Sequence, residues 1–123
     1  MMLLGDFYHI TSMQSEMNTS NVSMELNPQH AIFEGHFPGK PVVPGVCMMQ
    51  MVKEMLSFLS GRPVMLSTAD TIKFLSVINP DENKAIEMQL QYETGPGGLV
   101  QVNASIYIKE KVCFKFKGSF VNL

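Results

Sequence analysis

Long apolar runs, basic tracts and cysteines are all scarce in this chain of 123 residues, and each scarcity removes a class of function. No segment approaches the roughly 20 consecutive apolar residues that a membrane-spanning helix needs. The opening Met1-Met2-Leu3-Leu4-Gly5-Asp6 has no basic flank, and its apolar run is far too short for a signal peptide. Net charge is −2, and the scattered Lys111, Lys115 and Lys117 read as a solvated strand face. Nucleic-acid binding has no electrostatic footprint here. Cys47 and Cys113 show neither metal-ligand spacing nor a disulfide framework, so the expectation is a reduced, cytoplasmic protein with no metal and no cofactor.

What is present is an apolar share of 46% with eleven methionines. That composition fits one globular domain over residues 1–123 with a soft, adaptable interior, and neither a disordered chain nor two ordinary domains. From Pro44 to Leu59 the apolar spacing is helical, proline is tolerated near the first turn, and Gly61 and Pro63 supply the stop. Residues at ~100° intervals put Gln50, Lys53, Glu54 and Ser57 on one narrow stripe. Cys47, Met48, Met49, Met51, Val52, Met55, Leu56, Phe58 and Leu59 cover nearly all the rest, so the helix is expected to be enclosed by a curling sheet.

The strands for that sheet are legible from period-two alternation. Ile86, Met88, Leu90 and Tyr92 alternate with polar residues over Lys84–Glu93. Val102, Ala104, Ile106 and Ile108 do so over Leu99–Ile108, after the turn Thr94-Gly95-Pro96-Gly97-Gly98. Over Val112–Val121, the apolar set Val112, Phe114, Phe116 and Phe120 opposes Cys113, Lys115, Lys117 and Ser119. Three such strands with short connections predict an antiparallel meander. Further strands are expected at Phe7–Ser12, Asn21–Asn27 and Val64–Phe74.

Between the early strands and the helix lies Gly35-His36-Phe37-Pro38-Gly39-Lys40-Pro41-Val42-Val43-Pro44-Gly45-Val46. Three prolines and three glycines around one histidine suit a turn that holds the imidazole in a fixed place beside the start of a buried helix. The stretch from His36 to Val46 closely resembles the signature of the 3-hydroxyacyl-acyl carrier protein dehydratases of fatty-acid synthesis. Weaker similarity covers most of the chain, including Phe74 and the Pro80-Asp81 loop. The resemblance implies an α+β hotdog fold, in which an antiparallel sheet wraps one long central helix. It also implies an active site shared between two protomers, hence a homodimer or higher homo-oligomer.

In that family the motif histidine is catalytic, and an acidic residue on the helix faces it from the other protomer. The acid falls five residues after the glycine that begins the helix, and here that position is Gln50. The family commonly has glutamine four residues further on, where this chain has Glu54. Dehydration needs a proton taken from C2 and hydroxide expelled from C3. His36 suits the first task, with an unperturbed pKa near neutrality. Backbone N–H groups around Gly45 and Val46 could stabilise charge on the thioester oxygen, with Gly39 as a second donor by resemblance.

Gln50 can donate a hydrogen bond but no useful proton, and Glu54 lies one turn along, displaced by roughly 6 Å of helix rise. Three outcomes are open: Glu54 is the acid, His36 performs both transfers, or another subunit supplies the acid. A fourth reading pairs Glu54 with Lys53 or solvent. Phe33, Phe37, Phe74, Met48 and Met51 fit an acyl tunnel or plain core. Lys40, Arg62 and Lys73 could meet a carrier's phosphate or acidic surface, while His9 and His30 read as structural.

The expected function is therefore conversion of 3-hydroxyacyl thioesters, on acyl carrier protein or coenzyme A, to trans-2-enoyl thioesters in fatty-acid or related polyene or lipid synthesis. The alternative is a helper hotdog subunit that binds acyl chains or completes a partner's site. An acyl thioesterase on the same scaffold ranks last, because thioester hydrolysis does not require this histidine turn.

Overall fold

Apolar alternation on four of the six extended segments commits those four to one shared core, and all six form one antiparallel sheet. The computed structural model describes residues 2–35 and 39–123. Its elements are β1 (Tyr8–Glu16), β2 (Thr19–Leu26), α1 (Ile32–Gly35), α2 (Gly45–Ser60), β3 (Val64–Phe74), β4 (Ala85–Thr94), β5 (Leu99–Ile108) and β6 (Lys111–Asn122), with a single 3₁₀ turn at Pro96–Gly98. The strand order is β1-β2-β4-β5-β6-β3. The last three strands in sequence make the expected meander, and β3 returns from the helix to pair with β6. This is the α+β hotdog architecture that the resemblance implied.

Met51, Met55 and Leu56 of α2 are fully buried in one cluster with Met88, Leu90, Ile106, Phe114 and Phe120 of the sheet. Burying each such side chain contributes about 1.5–3 kcal/mol of transfer free energy. The helix stops where the sequence says it should: Gly61 adopts φ 71° and its N–H donates to the Ser57 carbonyl.

The enclosure of α2 is less complete than its composition suggests. Val46 and Phe58 remain 69% and 55% exposed, because one sheet covers only one side of a helix. Conversely Glu54, assigned to the polar stripe, is buried. The N-terminal segment folds across that part of the helix and carries the donors that make burial of a carboxylate tolerable.

Other departures are local. Both early strands run longer, to Glu16 and from Thr19, joined by a tight turn in which Met17 takes φ 56°. In β6, Cys113 and Ser119 were placed with the outward residues, yet both are buried. A register shift between Ile106 and Tyr107 sets Val112 opposite Tyr107 and Phe114 opposite Ile106, which leaves Cys113 outside the alternation. Ser119 is covered by β3, where its hydroxyl meets that of Thr68 at 2.6 Å. A side chain at Gly118 would collide with the Thr68 carbonyl, so this close approach of β3 requires glycine there.

Candidate active site

His36 and Phe37 lie outside the described residues, so the site is read from what flanks them. On the amino-terminal side, α1 leads straight into His36. His30 caps this turn, with its Nδ1 accepting the Ile32 N–H at 3.1 Å and its Nε2 lying 3.0 Å from Asp6 Oδ2. Phe33 is buried and stacks on Phe7 with ring centroids 5.1 Å apart. Both observations fit structural roles for His30 and Phe33. His9, at 4.0 Å from Glu25, is on the surface.

On the other side, Gly39 takes φ 85°, a left-handed conformation that favours glycine. Pro44 then caps α2, with its carbonyl accepting from Cys47 N and Met48 N at 3.0 and 3.2 Å. The N–H groups of Gly45 and Val46 precede those first helical bonds, and no side chain among the described residues caps the turn. Val43, Gly45, Met48, Phe74, Leu75, Ser76 and Val77 surround an open crevice of about 470 Å³ at this end of the helix. Phe74 is 57% exposed and lies over Gly45, while Met51 is fully buried in the core.

Gln50 and Glu54 belong to a different hollow of about 350 Å³, lined also by Met2, Leu4, Lys53 and Phe58. Among the described residues, a single chain thus brings Gly45 and Phe74 together, and Gln50 and Glu54 together, but does not join the two sets. Lys40, Arg62 and Lys73 are exposed and line neither hollow.

Around Glu54 the geometry is well defined. Its Oε2 accepts from Leu3 N at 2.7 Å and Gln50 Nε2 at 2.8 Å; its Oε1 accepts from Leu4 N at 2.8 Å and Tyr8 Oη at 2.9 Å. The reading that paired Glu54 with Lys53 or solvent is therefore wrong. Its partners are two backbone amides, a phenol and a carboxamide. An ionised carboxylate is acceptor-only with room for about four donors, and four are provided.

Burial pushes the Tyr8 phenol well above its ordinary value, and the charge of Glu54 and the hydrogen bond to it add to the rise. Burial also raises the Cys47 thiol, again assisted by Glu54. Leu3 and Leu4 escaped sequence reasoning because backbone donors leave no residue-type signal, and the Tyr8 phenol because it reaches Glu54 from 46 residues away in the chain. The described residues hold no cluster of His, Cys, Asp or Glu suited to a metal ion, and no helix long and apolar enough to cross a membrane.

A 3-hydroxyacyl-(acyl-carrier-protein) dehydratase FabZ of Lactobacillus helveticus is 27% identical over 116 residues, covering 79% of this chain and 77% of that protein. One of Caulobacter vibrioides is 30% identical over 87 residues, covering 70% of this chain and half of its own length. Among solved structures, the dehydratase heterocomplex ApeI:P from Xenorhabdus doucetiae contains a chain that superposes with a TM-score of 0.68 at 18% identity, covering 91% of this chain and 96% of that one. Residues 12–113, which include the histidine motif, Gln50 and Glu54, match the ApeI-like family, described as ApeI dehydratase, and the chain belongs to that family.

Proposed function

We propose that the protein dehydrates 3-hydroxyacyl thioesters, carried on acyl carrier protein or coenzyme A, to trans-2-enoyl thioesters. One observation carries this reading. The His36–Val46 motif falls inside the family match, and its described part opens onto an apolar crevice at the amino end of α2. In the reaction His36 takes the C2 proton and the C2–H electron pair becomes the new double bond. The C3–O bond then breaks, and the departing hydroxide leaves as water with the proton that His36 returns. The amides of Gly45 and Val46 face the charge that develops on the thioester oxygen.

Glu54 is poorly placed as the acid, because its oxygens already accept four hydrogen bonds. Both proton transfers are therefore assigned to His36. The separation of the two hollows supports completion of the site by a second hotdog protomer, which sets one chain's crevice against the other's Gln50. A homodimer is the simplest such assembly.

The second reading, a helper subunit that completes a partner's site, is favoured by the amide at position 50. The test is dehydration of 3-hydroxyacyl-acyl carrier protein and 3-hydroxyacyl-coenzyme A across chain lengths, alone and with a second hotdog chain. The expected result is turnover by the pure protein and its loss, by roughly 10²–10⁴-fold, in His36→Ala. Turnover only in the mixture, unaffected by His36→Ala, would select the helper reading.

A further inference from the structure

The outward residues of the sheet fall into cross-strand rows, and at one place those rows are electrostatically unfavourable. Lys73 of β3 stands directly opposite Lys115 of β6, and Lys117, two residues further along β6, stands opposite Thr71. Across β5 and β4 the same rows continue as Ser105 with Gln89 and Asn103 with Gln91. Opposed positions lie about 5 Å apart, and same-face neighbours along a strand about 7 Å. Like charges so placed destabilise a sheet.

The fold does nothing to relieve that repulsion. None of the three lysines makes an ion pair or a hydrogen bond among the described residues. Elsewhere on this face charges are answered: Lys84 meets Glu25 at 3.3 Å, and Glu87 accepts from the Ser23 hydroxyl at 3.0 Å. The outward acids of β4, Glu87 and Glu93, are two strands from β6, about 10 Å away. Asp70 sits in the irregular stretch of β3 between Ala69 and Thr71 and faces away from the cluster's hollow. That hollow, of about 310 Å³, is lined by Lys73, Lys115 and Lys117 with Gln89, Gln91 and Asn103, and by no carboxylate, although the chain carries a net charge of −2. It lies on the sheet face turned away from α2, since Phe114 and Phe116, which alternate with these lysines, are buried in the core.

We propose that this hollow binds a compact, multiply charged phosphate ligand, a diphosphate or a phosphomonoester. Lysine ammonium groups hold phosphate as point charges, and the carboxamide N–H groups supply further donors to its oxygens. One carboxylate would bring a single negative charge to three cations, whereas a diphosphate brings several on closely spaced oxygens. An extended acidic chain repeats its same-face side chains along one line, so it would meet Lys115 and Lys117 and miss Lys73. The volume suits a small ligand. The site is independent of the crevice beside α2 and of the dehydratase reading.

The test is titration of the whole protein with inorganic pyrophosphate at low salt, followed by calorimetry and by backbone amide shifts. Binding should saturate at one site per chain, shift Lys73, Asn103, Lys115 and Lys117, raise the melting temperature, and weaken as salt is added. Lys115→Gln should lower the affinity roughly two- to five-fold, the worth of one exposed ion pair. Adding Lys117→Gln should lower it again, while Arg62→Gln leaves it unchanged. Without ligand, Lys115→Gln should melt above the parent protein at low salt, because it removes a repulsion, so lost binding cannot be mistaken for lost folding. Coenzyme A, which bears the same groups, is added in competition: displacement of pyrophosphate names it as a source of the ligand, and its failure to compete leaves a free phosphate compound. Equal affinity in the parent and the double variant, or shifts confined to the crevice, would overturn the proposal. Binding of poly-glutamate or of phosphatidylserine vesicles with no response to pyrophosphate would overturn it in favour of an acidic chain or a membrane surface.

Discussion

The ring of Phe74 lies so close above Gly45 that a β-carbon added there would stand 2.7 Å from its Cε1 atom. Gly45→Ala must therefore displace Phe74, which also packs against the Phe114 ring at 5.3 Å between centroids. Overpacking of this kind costs about 1–3 kcal/mol. The lower end is expected because Phe74 is largely exposed. Denaturant titration should show that loss, and the additional change Phe74→Ala should recover most of it. Equal and additive losses would mean that the ring does not press on the helix start.

Alkaline stability should carry the signature of Tyr8. Its folded-state pKa lies above the ordinary value of about 10, because burial and then Glu54 disfavour the phenolate. The folded state therefore holds the proton more tightly than the unfolded chain. The resulting stability is fully present below about pH 10 and is lost as pH rises above it. Tyr8→Phe should be less stable at neutral pH by roughly 1.5–3 kcal/mol, the worth of a hydrogen bond to a charged group. Its stability should decline less steeply between pH 10 and 11. Parallel pH curves for the two proteins would contradict this account.

Neither cysteine should react readily in the native protein. Cys47 and Cys113 are free and buried, and both thiols are pushed up, by burial first. For Cys47 the charge of Glu54 adds to the effect; for Cys113 the nearby Lys111 and a backbone hydrogen bond from Ile108 oppose it. A disulfide reagent at pH 8 should label both only at the rate of unfolding, and at once in denaturant. Rapid native labelling of Cys47 would show that the N-terminal cover over the helix opens freely.

Much of the architecture was legible because half-buried strands display it. Ile86, Met88 and Leu90, like Val102, Ala104 and Ile106, lie on one face of a sheet whose other face meets water, and period two follows directly. β3 was visible as a strand, but not its edge position or its irregular pairing around Ser67 and Asp70, which depends on how β6 lies beside it. Glu54 was misread for a related reason. Helical spacing places it beside Lys53 and Ser57, and nothing in that spacing reveals that Leu3 and Leu4 cross the helix about fifty residues earlier in the chain. The histidine motif was legible as a motif, whereas the split between the two hollows is a matter of packing.

That packing also decides what Gln50→Glu should do. On the sequence alone, restoring an acid at position 50 predicts faster dehydration. In the structure the new carboxyl would stand against Glu54 Oε2, where Gln50 Nε2 is now 2.8 Å away. Two carboxylates so close share one proton and titrate as a pair. Leu3, Leu4 and Tyr8 still donate to Glu54, so the shared proton is carried at position 50 and points at Glu54. The side chain then mimics glutamine in its contact with Glu54. Activity should match the parent protein at low pH and fall as the pair loses its proton. The pH profile of kcat/KM should therefore gain a descending limb that the parent lacks. A variant faster than the parent at every pH would show that residue 50 protonates the leaving group directly.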